Sequence, residues 1–184
     1  MITCILANGS RHWIVDGPTE QYVASLVYDG ELIYLTCGFP EQHLMGIRPL
    51  GTGNVTDSQV LWHHKTKDAA YVPSPIVIKG YFIVADDFGM VSCYRARSGE
   101  LQWREKLAHH YSASLLTASG LVYVSADKDL DRADQGVTTI IRPGPTLDIV
   151  AKNTLDEPIY ASPAVYSGQL FLRAERHLYC IGTK

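Results

Sequence analysis

The sequence predicts an all-β chain built from repeated four-stranded antiparallel units, on the strength of two observations. The first is one complete unit within residues 71–107. There, β-type runs at 76–78, 81–85 and 90–94 are separated by the turn formers Lys79-Gly80 and Asp86-Asp87-Phe88-Gly89, and a fourth run at 101–107 follows Ser98-Gly99. The second is recurrence. Aligned on the hairpin glycine, residues 24–34, 74–84, 114–124 and 162–172 place the same residue types at the same offsets. Gly30, Gly80, Gly120 and Gly168 lie 50, 40 and 48 residues apart. Four strands in about forty residues make one propeller blade, and such a sheet is too small to bury both faces unless it stacks on its neighbours. The expected architecture is therefore a partial β-propeller of four-stranded antiparallel blades, three full and two incomplete, spanning 1–184 as one segment.

Each element follows in chain order. A partial blade is expected at 1–15, because Thr3 to Trp13 repeats the spacing of a turn followed by an aromatic residue, with Asn8-Gly9 in the turn. The connector 16–21 carries Gly17 and Pro18. A full blade at about 22–64 has Cys37-Gly38-Phe39-Pro40 in its second hairpin and a long third turn at 49–57. The Gly51/Gly53 pair in that turn opens no predicted helix, which makes it a glycine turn in preference to a phosphate cradle. The blade at 71–107 is the complete unit. The blade at 111–152 inserts an acidic stretch at 127–136 and closes around Arg142-Pro143-Gly144-Pro145 without a tryptophan. Three strands of a last blade are expected at 159–182, and no stretch reads as an amphipathic helix.

Composition narrows the functional classes. With 184 residues, 46% hydrophobic and 19% charged, the chain is long enough for a packed core. A net charge of −3 and the absence of lysine or arginine clusters leave no footprint for nucleic acid. No apolar run is long enough to span a bilayer as a helix. The opening MITCILANGSRHW lacks a basic region and a cleavage site, so no signal peptide is read in this chain.

Candidate chemistry is sparse. Cys4, Cys37, Cys93 and Cys180 are singly placed, without metal or redox spacing, and read as free, buried thiols. His63-His64 and His109-His110 are adjacent pairs, which on a strand point to opposite faces and cannot share an ion. Ser74, Ser114 and Ser162 recur at one offset, as a structural role near the axis would require and a catalytic one would not. Asp127, Asp129, Asp131 and Asp134 have the alternating spacing of a calcium loop, but Arg132 replaces the turn glycine and Thr138 the terminal glutamate, so a solvated acidic loop is the favoured reading.

Residues 93–103, CYRARSGELQW, resemble the tryptophan-docking motif A-x-D-x-x-T-G-x-x-x-W of the pyrroloquinoline-quinone (PQQ) propeller family. Ser98 stands for the threonine, Gly99 and Trp103 match, and Cys93 and Arg95 depart from the alanine and aspartate. Gly9 with Trp13 repeats the motif, and Trp62 ends a longer version. The resemblance is to the family's secreted bacterial branch, and it implies that Trp13, Gly9, Trp62, Gly99 and Trp103 dock neighbouring blades. It further implies an exported parent protein, periplasmic or extracellular, of which this chain is the C-terminal portion. The family holds both quinoprotein dehydrogenases and cofactor-free members. The dehydrogenases carry an adjacent-cysteine disulfide, a catalytic aspartate, a calcium ion and a stacking tryptophan, none of which can be matched here.

The expected function is thus a non-catalytic interaction or scaffold module, half of a larger ring, with no cofactor required. Its expected partners are itself or upstream blades, together with an unidentified protein. The alternative is part of a PQQ- and calcium-dependent alcohol or sugar dehydrogenase.

Overall fold

A computed structural model describes residues 1–182. The chain begins with the hairpin β1 (Ile2–Ile5) and β2 (Arg11–Val15). The first full blade runs β3 (Val27–Tyr28), β4 (Ile33–Cys37) and β5 (His43–Ile47). It then detours through β6 (Gly53–Asn54) and the single-turn helix α1 (Thr56–Gln59) before its outer strand β7 (Val60–Lys65). The second blade is β8 (Ile76–Ile78), β9 (Tyr81–Ala85), β10 (Met90–Arg95) and β11 (Leu101–Lys106). The third is β12 (Leu116–Ala118), β13 (Leu121–Ala126), β14 (Gly136–Arg142) and β15 (Asp148–Leu155), and a three-stranded sheet of β16 (Ala164–Tyr166), β17 (Gln169–Arg173) and β18 (Leu178–Ile181) follows. Within each blade the strands pair antiparallel in chain order, the up-and-down meander of a propeller arc.

Two features depart from expectation. The long third turn of the first blade is not an idle loop: β6 adds in parallel to β2, pairing Trp13 with Gly53 and Ile14 with Asn54. The helix α1 is the one helical turn among the described residues, which are otherwise β-strands, turns and loops, and Thr56 Oγ1 within it accepts a hydrogen bond from Asp16 N–H (2.8 Å). The insertion therefore straps the first hairpin to the first full blade.

The glycine register also shifts by one in that blade. Tyr34 pairs with Val27 and Gly46 as Ile83 pairs with Ile76 and Cys93, so Gly30 stands where Lys79 does, and Ser25, not Ala24, matches Ser74. Lys79-Gly80, Ser119-Gly120 and Ser167-Gly168 have positive φ at both positions, the two-residue hairpin geometry that follows strand twist. The first blade uses a different turn, in which Asp29 Oδ1 accepts from Glu31 and Leu32 N–H.

Burial is concentrated between blades. One cluster joins Trp13 and Val15 to Leu35, Met45 and Ile47; another joins Tyr34, Leu44 and Trp62 to Phe82, Val84 and Tyr94; a third joins Ile83, Val91 and Trp103 to Val122, Val124 and Ile141. Alternate residues of each middle strand serve opposite interfaces, the period-two consequence of the pleat.

Candidate interaction surface

Tryptophan docking is how one blade holds the next. Trp62 Nε1–H donates to the Ala96 carbonyl (2.9 Å) in the third turn of the second blade, and its ring lies so close to Gly99 that a Cβ there would sit 2.6 Å from it. Trp103 Nε1–H donates in the same way to the Gly144 carbonyl of the third blade (3.1 Å). Each docking residue faces a β-bulge, with shifts after Cys4 opposite Trp13, Gly46 opposite Trp62 and Cys93 opposite Trp103. Trp13 is buried as well, but the β6 strap covers it. Gly9 has the positive φ of its tight turn, and nothing packs within 4 Å of where its Cβ would be.

Towards the axis the recurring serines form a relay. Ser25 N–H donates to Ser74 Oγ (2.9 Å), Ser74 N–H to Ser114 Oγ (3.0 Å) and Ser114 N–H to Ser162 Oγ (2.9 Å). The inner strands are too short to satisfy these amides by sheet pairing, and each hydroxyl accepts from the blade before it.

The histidines and carboxylates serve internal contacts. His63 and His64 do point apart: His63 Nε2 meets His43 Nδ1 at 2.9 Å, and His64 Nε2 meets the Gly99 carbonyl at 2.8 Å. Burial, reinforced by His43 and His64, holds His63 below its ordinary value. His43 is 4% exposed and has Glu41 Oε2 at 3.5 Å from its Nε2; this cluster was missed from sequence, although His43 alternates with Met45 on β5 as a core position does. His110 Nδ1 lies 3.0 Å from Asp127 Oδ2 and 3.5 Å from Ser112 Oγ. Because both partners compete for one ring nitrogen, no serine–histidine–aspartate relay is formed. Asp129 is buried against Lys152 Nζ (2.6 Å), while Asp131 and Asp134 are exposed. Among the described residues no group of three or more His, Cys, Asp or Glu side chains is arranged to hold a metal ion.

Two further knots lie in the crossovers. Asp68 receives Tyr94 OH (3.0 Å) and pairs with Arg104 (2.8 Å). Glu157 receives Tyr179 OH (2.6 Å), the Arg176 N–H (2.5 Å) and His177 Nδ1 (2.6 Å). The tyrosine hydroxyl leads, with the Arg176 amide and His177 adding to it against burial, in holding the Glu157 carboxyl down to about 2. Cys37 and Cys93 are buried free thiols pushed up by desolvation to about 11 and about 12, values at which neither is a nucleophile near neutral pH.

One surface open to a partner is the side carrying the second hairpins and the crossovers. Phe39 and Phe88 occupy the tips of the β4–β5 and β9–β10 hairpins and are 53% and 67% exposed. Phe88 borders a shallow groove with Pro40, Glu41, Lys65 and Lys67, where Lys65 is paired with Glu41. Two exposed aromatic rings beside charged side chains suit contact with a protein surface.

Arc and docking geometry define a segment of a β-propeller. Residues 51–141 match the family model described as outer membrane protein assembly factor BamB, and the repeats are those of the PQQ-like β-propeller family. No curated protein sequence matches the chain. Among solved structures, it is similar to a europium-containing methanol dehydrogenase (13% identity, TM-score 0.58, covering 77% of this chain and 26% of that one). It is also similar to BamB from Moraxella catarrhalis (8%, 0.51, 92% and 72%) and to the computationally designed Ika8 protein (11%, 0.70, 95% and 50%). The chain thus spans about a quarter of the dehydrogenase and half of the designed protein. At these identities the likeness is one of fold.

The residues do not fit a quinone. The serine relay lies in the segments just before the inner strands, all three tryptophans lie on the last strands of their blades, and the four cysteines are free and in separate sheets. No helix among the described residues is long and apolar enough to cross a membrane.

Proposed function

We propose that the chain is a non-catalytic propeller segment, an interaction scaffold forming half of a larger ring. The observation that carries this is the outward face of the last sheet. Ala164, Tyr166, Phe171, Leu178 and Cys180 occupy the positions that Ile76, Ile78, Ile83, Val91 and Cys93 hold in the second blade, where the third blade covers them. In the last sheet Tyr166 is 73% exposed and Leu178 is 66% exposed. An apolar face built for blade stacking calls for another blade, and a second copy of this chain supplies one. The half-length match to the designed protein supports an arc of this size. The Phe39/Phe88 face then serves as the platform for a protein partner. Export of the parent protein is supported by the family match to an outer membrane assembly factor.

The quinoprotein reading belongs to the same fold, but a site must be assigned from its residues, and here the polar side chains near the axis are committed to the backbone. Calcium at 127–134 would have to displace His110 from Asp127 and Lys152 from Asp129. Adding PQQ and calcium and following quinone absorbance with dye-linked alcohol and sugar oxidation tests the proposal. No cofactor-dependent rate is expected, and a saturable one would overturn the non-catalytic reading.

A further inference from the structure

The third blade breaks the docking rule at one residue. Its register shifts after Ile140, as the others do after Cys4, Gly46 and Cys93, and the residue opposite Ile140 is Ala151. Ala151 therefore stands where Trp13, Trp62 and Trp103 stand. Among the described residues no buried core cluster joins the third blade to the last sheet; a cavity of about 420 Å³ lies there instead, bordered by Ile140, the partner of Ala151 across the strands, and not by Ala151 itself.

Its walls are the counterparts of the residues that hold Trp62. That indole lies between Tyr34 and Phe82, with centroids 6.2 and 6.0 Å away. The same positions between the third blade and the last sheet are Tyr123 and Leu170, and both line the cavity, as do Ile140 opposite Ala151 and Ile181 in the place of Tyr94. Thr138, which also lines the cleft, has its hydroxyl on Ser125 Oγ (2.9 Å). Asn153 and Gln169 add polar groups to the lining.

We propose that this cleft is a ligand site for a planar aromatic group of indole size, which takes the place of the missing tryptophan. A cleft of a few hundred Å³ with a largely apolar lining and a few polar groups is the usual form of a small-molecule site. The group enters either as a free heterocycle or as a tryptophan side chain on a polypeptide. The chemistry recognised is the same.

Thermal unfolding of the full chain tests this, with indole as the free probe and N-acetyltryptophanamide as the stand-in for a side chain. Saturating indole should raise the Tm of the wild type by about 2–4 °C, the scale of a modest stabilisation in a domain of this size. Ala151→Trp should raise the Tm without ligand by a similar amount and abolish the response to indole. A response to the amide as well assigns the site to polypeptide-borne indoles, and a response to indole alone assigns it to the free heterocycle; either supports the proposal. Tyr123→Ala, which removes one wall but leaves the strands paired, should cancel the response. The proposal is overturned if Ala151→Trp lowers the Tm or fails to fold, if indole shifts the wild type and Ala151→Trp equally, or if neither probe shifts the wild type.

Discussion

At the residue scale, stability hangs on a few side chains that reach across blade boundaries. Trp103→Ala removes a buried ring and its hydrogen bond to Gly144, and should cost about 3–5 kcal/mol in urea unfolding. Two glycines with similar φ separate conformation from contact. A Cβ on Gly80 meets nothing within 4 Å, so Gly80→Ala should cost only the left-handed backbone, about 1–2 kcal/mol. A Cβ on Gly89 would lie 2.0 Å from the Ala108 carbonyl oxygen, so Gly89→Ala should cost clearly more. Acidity should act in two windows. The folded state lowers the affinity of His63 for protons, so its contribution is present above the ordinary value of 6.5 and is lost as pH falls below it; His63→Asn should flatten the urea midpoint there. Glu157, held at about 2 against an ordinary 4.5, contributes above 4.5 and loses that contribution between those values, a slope that Glu157→Gln should remove.

At the scale of the strand and blade, the meander was legible because glycine turns and alternation are local signals. Trp13 and Trp103 were legible because each follows a turn glycine by four residues, whereas Trp62 stands beyond a longer turn. The one-residue slip at Gly30 was not legible, because the first blade turns on the Asp29 carboxylate and Glu31 occupies the slot that glycine fills in the other hairpins. The serine hydroxyls keep true register because each must meet the preceding blade's amide. Ser74→Ala should therefore cost about 0.5–1.5 kcal/mol, the net worth of one hydrogen bond at a water-accessible amide, checked by faster hydrogen exchange at Ser25 N–H. The β6 strap escaped the sequence reading because its pairing to Trp13 spans 40 residues, with Gly53 and Asn54 carrying no strand propensity. His43 with His63, and Glu157 with His177 and Tyr179, escaped because their partners come from separate strands or crossovers.

At the scale of the whole molecule, every interface between full blades is closed by an indole, while the last sheet ends in an uncovered apolar face. That asymmetry underlies the proposed ring, since a face patterned for stacking and left in water is an association or aggregation site. The most direct measurement is light scattering during size exclusion at micromolar concentration. The account predicts a monodisperse species of twice the 20.4 kDa chain mass, dissociated by Leu178→Asp on the exposed face. A stable, monodisperse 20.4 kDa monomer would contradict it.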